Sequence, residues 1–302
     1  IYKFNSIDDD FCISVTFKLS NVLMIGYKEK TIDWPSENIK SISASLGFVI
    51  ILKNDGTCLA FGSNHSGQTA IPNGLKDITA ISSGYSHTIA LKSDGTVVGW
   101  GSNDFGQTNI PSDLINVVSI SAAAAHSVAL RSDGTVIVWG DKNDGVSEIP
   151  EDLNDVTSIA SGVNHIVALK SDGNLIAWGK NIFGQTEIPS NLNNVKEIAA
   201  GTYHTIALKD DGSVLTWGDN TYGQIDTPDG LTGVKKVNAG FFNTIAIDND
   251  GKLVIWGSNT FDQLSEPADL VDVTDASIGD KFIIALKSNG TTSEWGEELL
   301  PN

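Results

Sequence analysis

The chain has 302 residues, with 19 Lys and Arg against 37 Asp and Glu, for a formal charge of −18. Such a surface repels phosphate backbones, so nucleic-acid binding would need a local basic patch, and the lysines are scattered instead. Two cysteines, Cys12 and Cys58, make no disulfide framework; no stretch approaches the ~20 apolar residues of a membrane-spanning helix; and 40% apolar residues with 30 glycines suit a turn-rich fold with ample core.

Residues 1–35 look irregular at first. Yet Val15-Thr16-Phe17-Lys18-Leu19-Ser20-Asn21 follows the pattern of Ile89-Ala90-Leu91-Lys92-Ser93-Asp94-Gly95, and Trp34-Pro35 that of Ile71-Pro72. This reads as a worn first unit. It starts at Ile1 with no basic-then-apolar leader, as a processed form or an excised piece would. The next unit runs from Ile39 to Pro72. Five well-formed units follow, ending at Pro111, Pro150, Pro189, Pro228 and Pro267, and the last reaches Leu299-Leu300-Pro301. A turn glycine recurs at Gly56, Gly95, Gly134, Gly173, Gly212, Gly251 and Gly290, always 39 residues on.

A fixed period near 40 residues marks a repeat architecture. Inside a unit, Thr88–Leu91 and Thr96–Trp100 are short apolar runs on either side of Asp94-Gly95. Asp-Gly between such runs predicts a hairpin, because Gly accepts positive φ and Asp bonds its own backbone. Ile78–Ile81 precedes the hairpin and a Gly-Gln-Thr-x-Ile-Pro segment follows it. The expectation is an all-β, single-domain β-propeller over 1–302 with four-stranded units. Residues 1–35 would be the worn first repeat and 36–301 seven clear ones, so eight units are counted.

One aromatic stands five residues after each turn Gly: Phe61, Trp100, Trp139, Trp178, Trp217, Trp256 and Trp295. Rings that each bury about 150–250 Å² belong between blades. His87, His126, His165 and His204 also recur at 39. Equivalent residues on packed sheets sit ~10 Å apart, while zinc needs nitrogens at about 2.0–2.1 Å, so these histidines are expected to tie down turns rather than hold a metal. Asp55, Asp94, Asp133, Asp172, Asp211 and Asp250 are explained by turn chemistry, and the Asp-x-Asp spacing of a calcium loop is missing. No nucleophile elbow, phosphate loop or Cys–His pair appears. The chain reads as a non-enzyme without cofactor.

The unit Gly-x-x-His-x-x-Ala-Leu-Lys-x-Asp-Gly-x-x-x-x-Trp-Gly-x-Asn-x-x-Gly-Gln, nearly complete from Gly201 to Gln224, resembles the repeat of the regulator-of-chromosome-condensation family. The short Gly184–Pro189 form is most similar to the bacterial branch that includes the type II β-lactamase inhibitor protein. The resemblance implies a seven-bladed propeller. The count of eight units, with the hairpin of the worn one intact, favours eight blades over that alternative. It also implies a protein-binding platform or inhibitor, with GTPase nucleotide exchange as an alternative that the uniform repeat, free of insertions, argues against. A carbohydrate-binding or adhesive module of a surface or virion protein is a third reading. A secreted or surface location is implied by the resemblance alone.

Departures from the repeat point to function better than the repeat does. On one rim these include Tyr85, Asn164, Tyr203, Phe241, Phe242 and Lys281, which form the candidate partner-binding set. Tyr203 and Phe242 match the aromatic positions that the inhibitor branch uses. Phe105, Phe183, Tyr222 and Phe261 recur in register and are assigned to the opposite rim, as packed residues. The partner is expected to be a protein, a glycan being the other candidate; neither nucleic acid nor membrane insertion is expected.

Overall fold

The computed structural model describes residues 38–297, Pro35, Leu299 and a paired segment in which Ile13–Ser14 runs antiparallel to Gly26–Tyr27. The worn-unit reading of residues 1–35 otherwise lies outside the described residues. Seven antiparallel sheets follow the 39-residue step. Blade 1 comprises Ile39–Ser45, Phe48–Lys53 and Cys58–Gly62; blade 2, Ile78–Ser83, His87–Lys92 and Val97–Gly101; blade 3, Val117–Ala122, His126–Arg131 and Val136–Gly140. Blade 4 comprises Val156–Ser161, His165–Lys170 and Leu175–Gly179; blade 5, Val195–Ala200, His204–Lys209 and Val214–Gly218. Blade 6 has Val234–Ala239, Asn243–Asp248 and Leu253–Gly257, and blade 7 Val273–Ile278, Phe282–Lys287 and Thr292–Gly296. The first strand of every blade lines an axial channel of about 330 Å³.

Each blade has three strands, not the expected four. The Gly-Gln-Thr-x-Ile-Pro segment forms no strand because side chains and tight turns take its amides. In blade 2 the Thr108 amide donates to Asn103 Oδ1 (3.1 Å) and the Asn109 amide to the Gly106 carbonyl (3.0 Å). The Gln107 carbonyl accepts from Trp139 Nε1 at 2.9 Å, across to the next blade. Such a segment has few free groups left for a strand ladder.

The ring closes with seven blades, not the eight favoured by unit counting. A serine hydroxyl on the first strand accepts the amide of the next blade's first strand: Ser43 from Ser83, Ser82 from Ala122, and Ser121 from Ser161. Ser277 of blade 7 accepts the Ala44 amide of blade 1 at 2.8 Å, by the same device. Asp280 adds a bond from the Gly47 amide, and Phe282, Ile284 and Leu299 share a core with Ile39, Ile42 and Val49. A pattern count registers hairpins; it cannot register that blades 7 and 1 are already each other's neighbours.

The tryptophans lie between blades, as expected. Trp178 of blade 4 packs with Val128, Leu130 and Val136 of blade 3, and Trp217 of blade 5 with Val167 and Leu169 of blade 4. Their indoles also donate backwards: Trp100 to the Gln68 carbonyl, Trp178 to Val146, Trp217 to Gln185 and Trp295 to Gln263, all within 2.8–3.1 Å. One ring thus supplies both the apolar burial and the polar link between neighbours.

Candidate partner-binding face

Two kinds of connection meet at one end of the ring. The first is the turn between the first and second strands, for example Gly201-Thr202-Tyr203. The second is the loop after the third strand, for example Asp219–Gln224. Two strand reversals separate them, so the chain returns to the same face. The Asp219 amide donates to the Tyr203 carbonyl (2.9 Å), and the same bond joins Ser63 to Gly47 and Ser258 to Phe242. The assignment of Phe105, Phe183, Tyr222 and Phe261 to the opposite rim is therefore corrected: both sets occupy one face, the loop face. The opposite end carries the Asp-Gly turns and is the turn face.

The loops are built to present a side chain. Gln107, Gln185, Gln224 and Gln263 are buried, and their Oε1 atoms accept the amides of Phe105, Phe183, Tyr222 and Phe261 at 2.8–2.9 Å. The recurrent Asn-x-x-Gly-Gln thus pins the residue at the loop tip. Phe105, Phe183 and Tyr222 are 55%, 43% and 46% exposed, so they are not the packed residues that their regular spacing suggested. In blade 3, Val146 replaces the Gln and Asp144 the ring, in a short 3-10 turn over Asn143–Gly145.

The tips of blades 3 to 6 each meet the turn of the next blade, twenty residues on. Asp144 accepts a hydrogen bond from Asn164 Nδ2 and pairs with Lys180 at 3.1 Å. Phe183 contacts Tyr203 with ring centroids 5.1 Å apart, and Tyr222 contacts Phe242 at 4.8 Å, both pairs tilted by about the same 45° and 43°. Lys281 lies over the Phe261 ring at 4.9 Å and pairs with Glu297 at 3.1 Å. An arc of rings therefore runs over the loop face from blade 4 to blade 7.

Tyr85 and Phe241 serve differently. They come from blades 2 and 6, yet their rings stack at 5.0 Å and 17°. Both line the loop-face mouth of the channel, a cavity of about 90 Å³ walled by the glycine and alanine turns. Burial pushes the Tyr85 hydroxyl up to about 12, opposed by a hydrogen bond with Thr202. The pair belongs to the expected partner-binding set, and the structure places its two rings together across the axis, apart from the arc. Of the six residues in that set, Tyr203, Phe242 and Lys281 join the arc, Asn164 joins its polar start, and Tyr85 and Phe241 close the channel.

The histidines lie beneath this face, and three of them, His87, His165 and His204, link neighbouring blades. His87 Nε2 is 3.0 Å from Ser127 Oγ, His165 from Thr205 Oγ1 and His204 from Thr244 Oγ1, in each case on the next blade. Those hydroxyls donate to the carbonyls of Gln107, Gln185 and Gln224, so they accept from Nε2–H. The imidazoles are neutral: burial drives His87 and His165 down to about 3, and His126 and His204 to about 4. Among the described residues no group of three or more His, Cys, Asp or Glu is placed to hold a metal ion.

The repeat described as regulator of chromosome condensation (RCC1) matches residues 39–68, 78–107, 117–145, 156–185, 195–224 and 234–263, more than half of the chain. The chain belongs to the RCC1 repeat family. No curated protein matches it. The ectodomain of the Physcomitrella patens receptor kinase CR4 is similar with a TM-score of 0.73 at 21% identity, covering 85% of this chain and 74% of its own. Human WBSCR16 aligns with a TM-score of 0.70 at 19% identity, covering 85% and 88%. Prp20p of Saccharomyces cerevisiae, studied with its binding to Gsp1p and histones, aligns at 0.65 and 20%, covering 78% and 80%. At such identities the likeness concerns fold, and function must be argued from the site. The RCC1 matches end before blade 7, where Glu297 follows the third strand in place of the Asn-x-x-Gly-Gln loop.

Proposed function

We propose that this RCC1-repeat propeller is a non-enzymatic protein-interaction module that engages its partner through the loop face. The observation that carries the reading is the arc of Phe183, Tyr203, Tyr222, Phe242 and Phe261, in which Phe183 and Tyr222 are exposed and their backbones are held by the buried Gln185 and Gln224. Rigid aromatics on a fixed scaffold are the residue type that dominates binding energy at interfaces. Binding by this face is also what the resemblance to the bacterial inhibitor branch implies. Nucleotide exchange on a GTPase has less support, because the constant 39-residue step leaves no blade insertion through which to act.

The test is to identify a partner by cross-linking and mass spectrometry, then measure its affinity for wild type, Phe183→Ala/Tyr222→Ala, and Asp94→Asn/Asp211→Asn on the turn face. The loop-face variant should weaken binding by about tenfold or more, as loss of two interfacial rings would, and the turn-face variant should leave it unchanged. Equal affinity of wild type and the loop-face variant would sink the assignment.

A further inference from the structure

We infer that the aromatic arc is a receptor for the Lys and Arg side chains of a basic, extended protein segment. This rests on the loop-face reading above and gives the partner its chemistry. Two observations carry it. The first is that the face already contains one such contact: the Lys281 ammonium lies 4.9 Å from the Phe261 centroid, within the range of a cation–π interaction. Lys281 occupies the turn position that Tyr203 and Phe242 occupy in blades 5 and 6. The tilted pairs Phe183–Tyr203 and Tyr222–Phe242 hold two rings each and, among the described residues, no cation over either. The chain supplies its own cation at one end of the arc and leaves the next two ring pairs open to one from outside.

The second observation is charge. Exposed carboxylates on the loops that carry the arc are Glu187, Asp226, Asp262 and Glu266, with Glu148 on the loop of the blade before it. Among the described residues, the lysines of the loops and turns on this face are Lys142, Lys180 and Lys281, and the last two are already paired, with Asp144 and Glu297. Glu187 and Asp226 are oriented by Asn181 and Asn220, whose side-chain amides donate to them at 3.1 and 2.8 Å, so these carboxylates stand at fixed places beside Phe183 and Tyr222. A ring and a carboxylate side by side satisfy both aspects of a guanidinium or ammonium, its π-facing surface and its charge. An acidic or phosphorylated segment would meet repulsion at every one of these positions.

Fluorescence anisotropy with a labelled peptide rich in Arg and Lys, and with its Gln-substituted counterpart, tests this. Wild type should bind the basic peptide and not the Gln peptide, with affinity falling as salt rises. Phe183→Ala/Tyr222→Ala should lose about tenfold, since two cation–π contacts at about 0.5–1 kcal/mol each come to that order. Glu187→Gln/Asp226→Asn keeps the hydrogen bonds to Asn181 and Asn220 and should lose affinity and salt dependence together. Melting curves for both variants should match wild type. The inference is overturned if the basic peptide binds no better than the Gln peptide, or if the ring variant binds it as well as wild type, which would reduce the effect to the net charge. If an identified partner is lost with the ring variant but is indifferent to Glu187→Gln/Asp226→Asn, the loop face stands as the interface and the cation receptor falls.

Discussion

The two ends of this propeller use their connections oppositely. On the turn face six of the seven blades repeat one solution, while in blade 6 Asp248 accepts the amides of Asp250 and Lys252, both at 2.9 Å. Asp55, Asp94, Asp133, Asp172 and Asp211, and Asn289 in blade 7, accept the amide two residues on, at 2.9–3.0 Å. Hydrogen bonds from Thr96, first from its hydroxyl and then from its amide, hold the Asp94 carboxyl down at about 2. The side chains there are spent on their own turns. On the loop face the backbone is also repetitive, but buried Gln and surface Asn side chains satisfy its amides, which frees the tip residue to vary. The tip is Phe105, Phe183, Tyr222 or Phe261 on one backbone geometry, and Asp144 on the 3-10 turn of blade 3. The lesson is that variation is permitted where the scaffold does not need the side chain, and recognition can occupy those places.

The largest effect should come from breaking what both faces share. Trp217→Ala removes a buried ring from the blade 4–blade 5 core along with its bond to the Gln185 carbonyl. A loss of about 3–5 kcal/mol is expected for such a truncation, read by urea denaturation. Phe183→Ala at the tip just above should cost under about 1 kcal/mol, as an exposed side chain without such features does. Comparable losses for the two would mean the arc is packing rather than a presented surface.

Next in size is the response to acid. The four imidazoles titrate at 6.5 when unfolded and at about 3–4 when folded. Between those values the unfolded chain binds more protons, so stability is complete above pH 6.5 and falls as pH drops toward 4. Each imidazole costs about 1.4 kcal/mol per unit over that window. The turn-face carboxylates act later: a depressed Asp94 contributes fully above 3.8 and loses its contribution only as pH falls through about 2. Denaturation midpoints between pH 7 and 4.5 should therefore fall, and His204→Phe, which copies the Phe48 and Phe282 of blades 1 and 7, should make the slope shallower by roughly a quarter. An unchanged slope would place the acid sensitivity elsewhere.

Much of this was legible beforehand. The 39-residue step fixed the hairpins, and an aromatic in constant register five residues past the turn has nowhere to go but between blades. Three things were not. The fourth strand was read from a Gly-Gln-Thr-x-Ile-Pro pattern whose amides are in fact consumed by Asn and Gln side chains. The ring number was read from units, whereas closure rests on Ser277 and Phe282 meeting blade 1. The faces were confused because direction depends on counting reversals: from Tyr85 to Phe105 the chain crosses two strands and comes back. With that parity right, the twenty-residue offset from tip to turn pairs Phe183 with Tyr203 and Tyr222 with Phe242 directly. That Phe241 reaches across the axis to Tyr85 had no sequence signal, since the two belong to blades that are not neighbours.

The smallest expected effect sharpens the comparison at an irregular joint, between blades 3 and 4. There the loop-face rule fails in two places at once. Val146 stands where other loops have Gln, and Ile166 stands where Ser127, Thr205 and Thr244 receive a histidine. As a result His126 Nε2 is buried without a hydrogen-bond partner. Ile166→Thr would supply a hydroxyl able to accept from His126 and donate to the Val146 carbonyl, as Ser127 does with His87 and Gln107. Ile166→Val is the control, because it removes similar volume without a hydroxyl. A buried hydroxyl without partners costs about 1–3 kcal/mol, whereas one that makes two bonds recovers about that much. Ile166→Thr should therefore be at least as stable as Ile166→Val by urea denaturation, with binding by the arc unchanged. A Thr variant that is less stable than the Val variant by more than about 1 kcal/mol would show that the linkage seen at the other joints depends on Gln as well as on the hydroxyl.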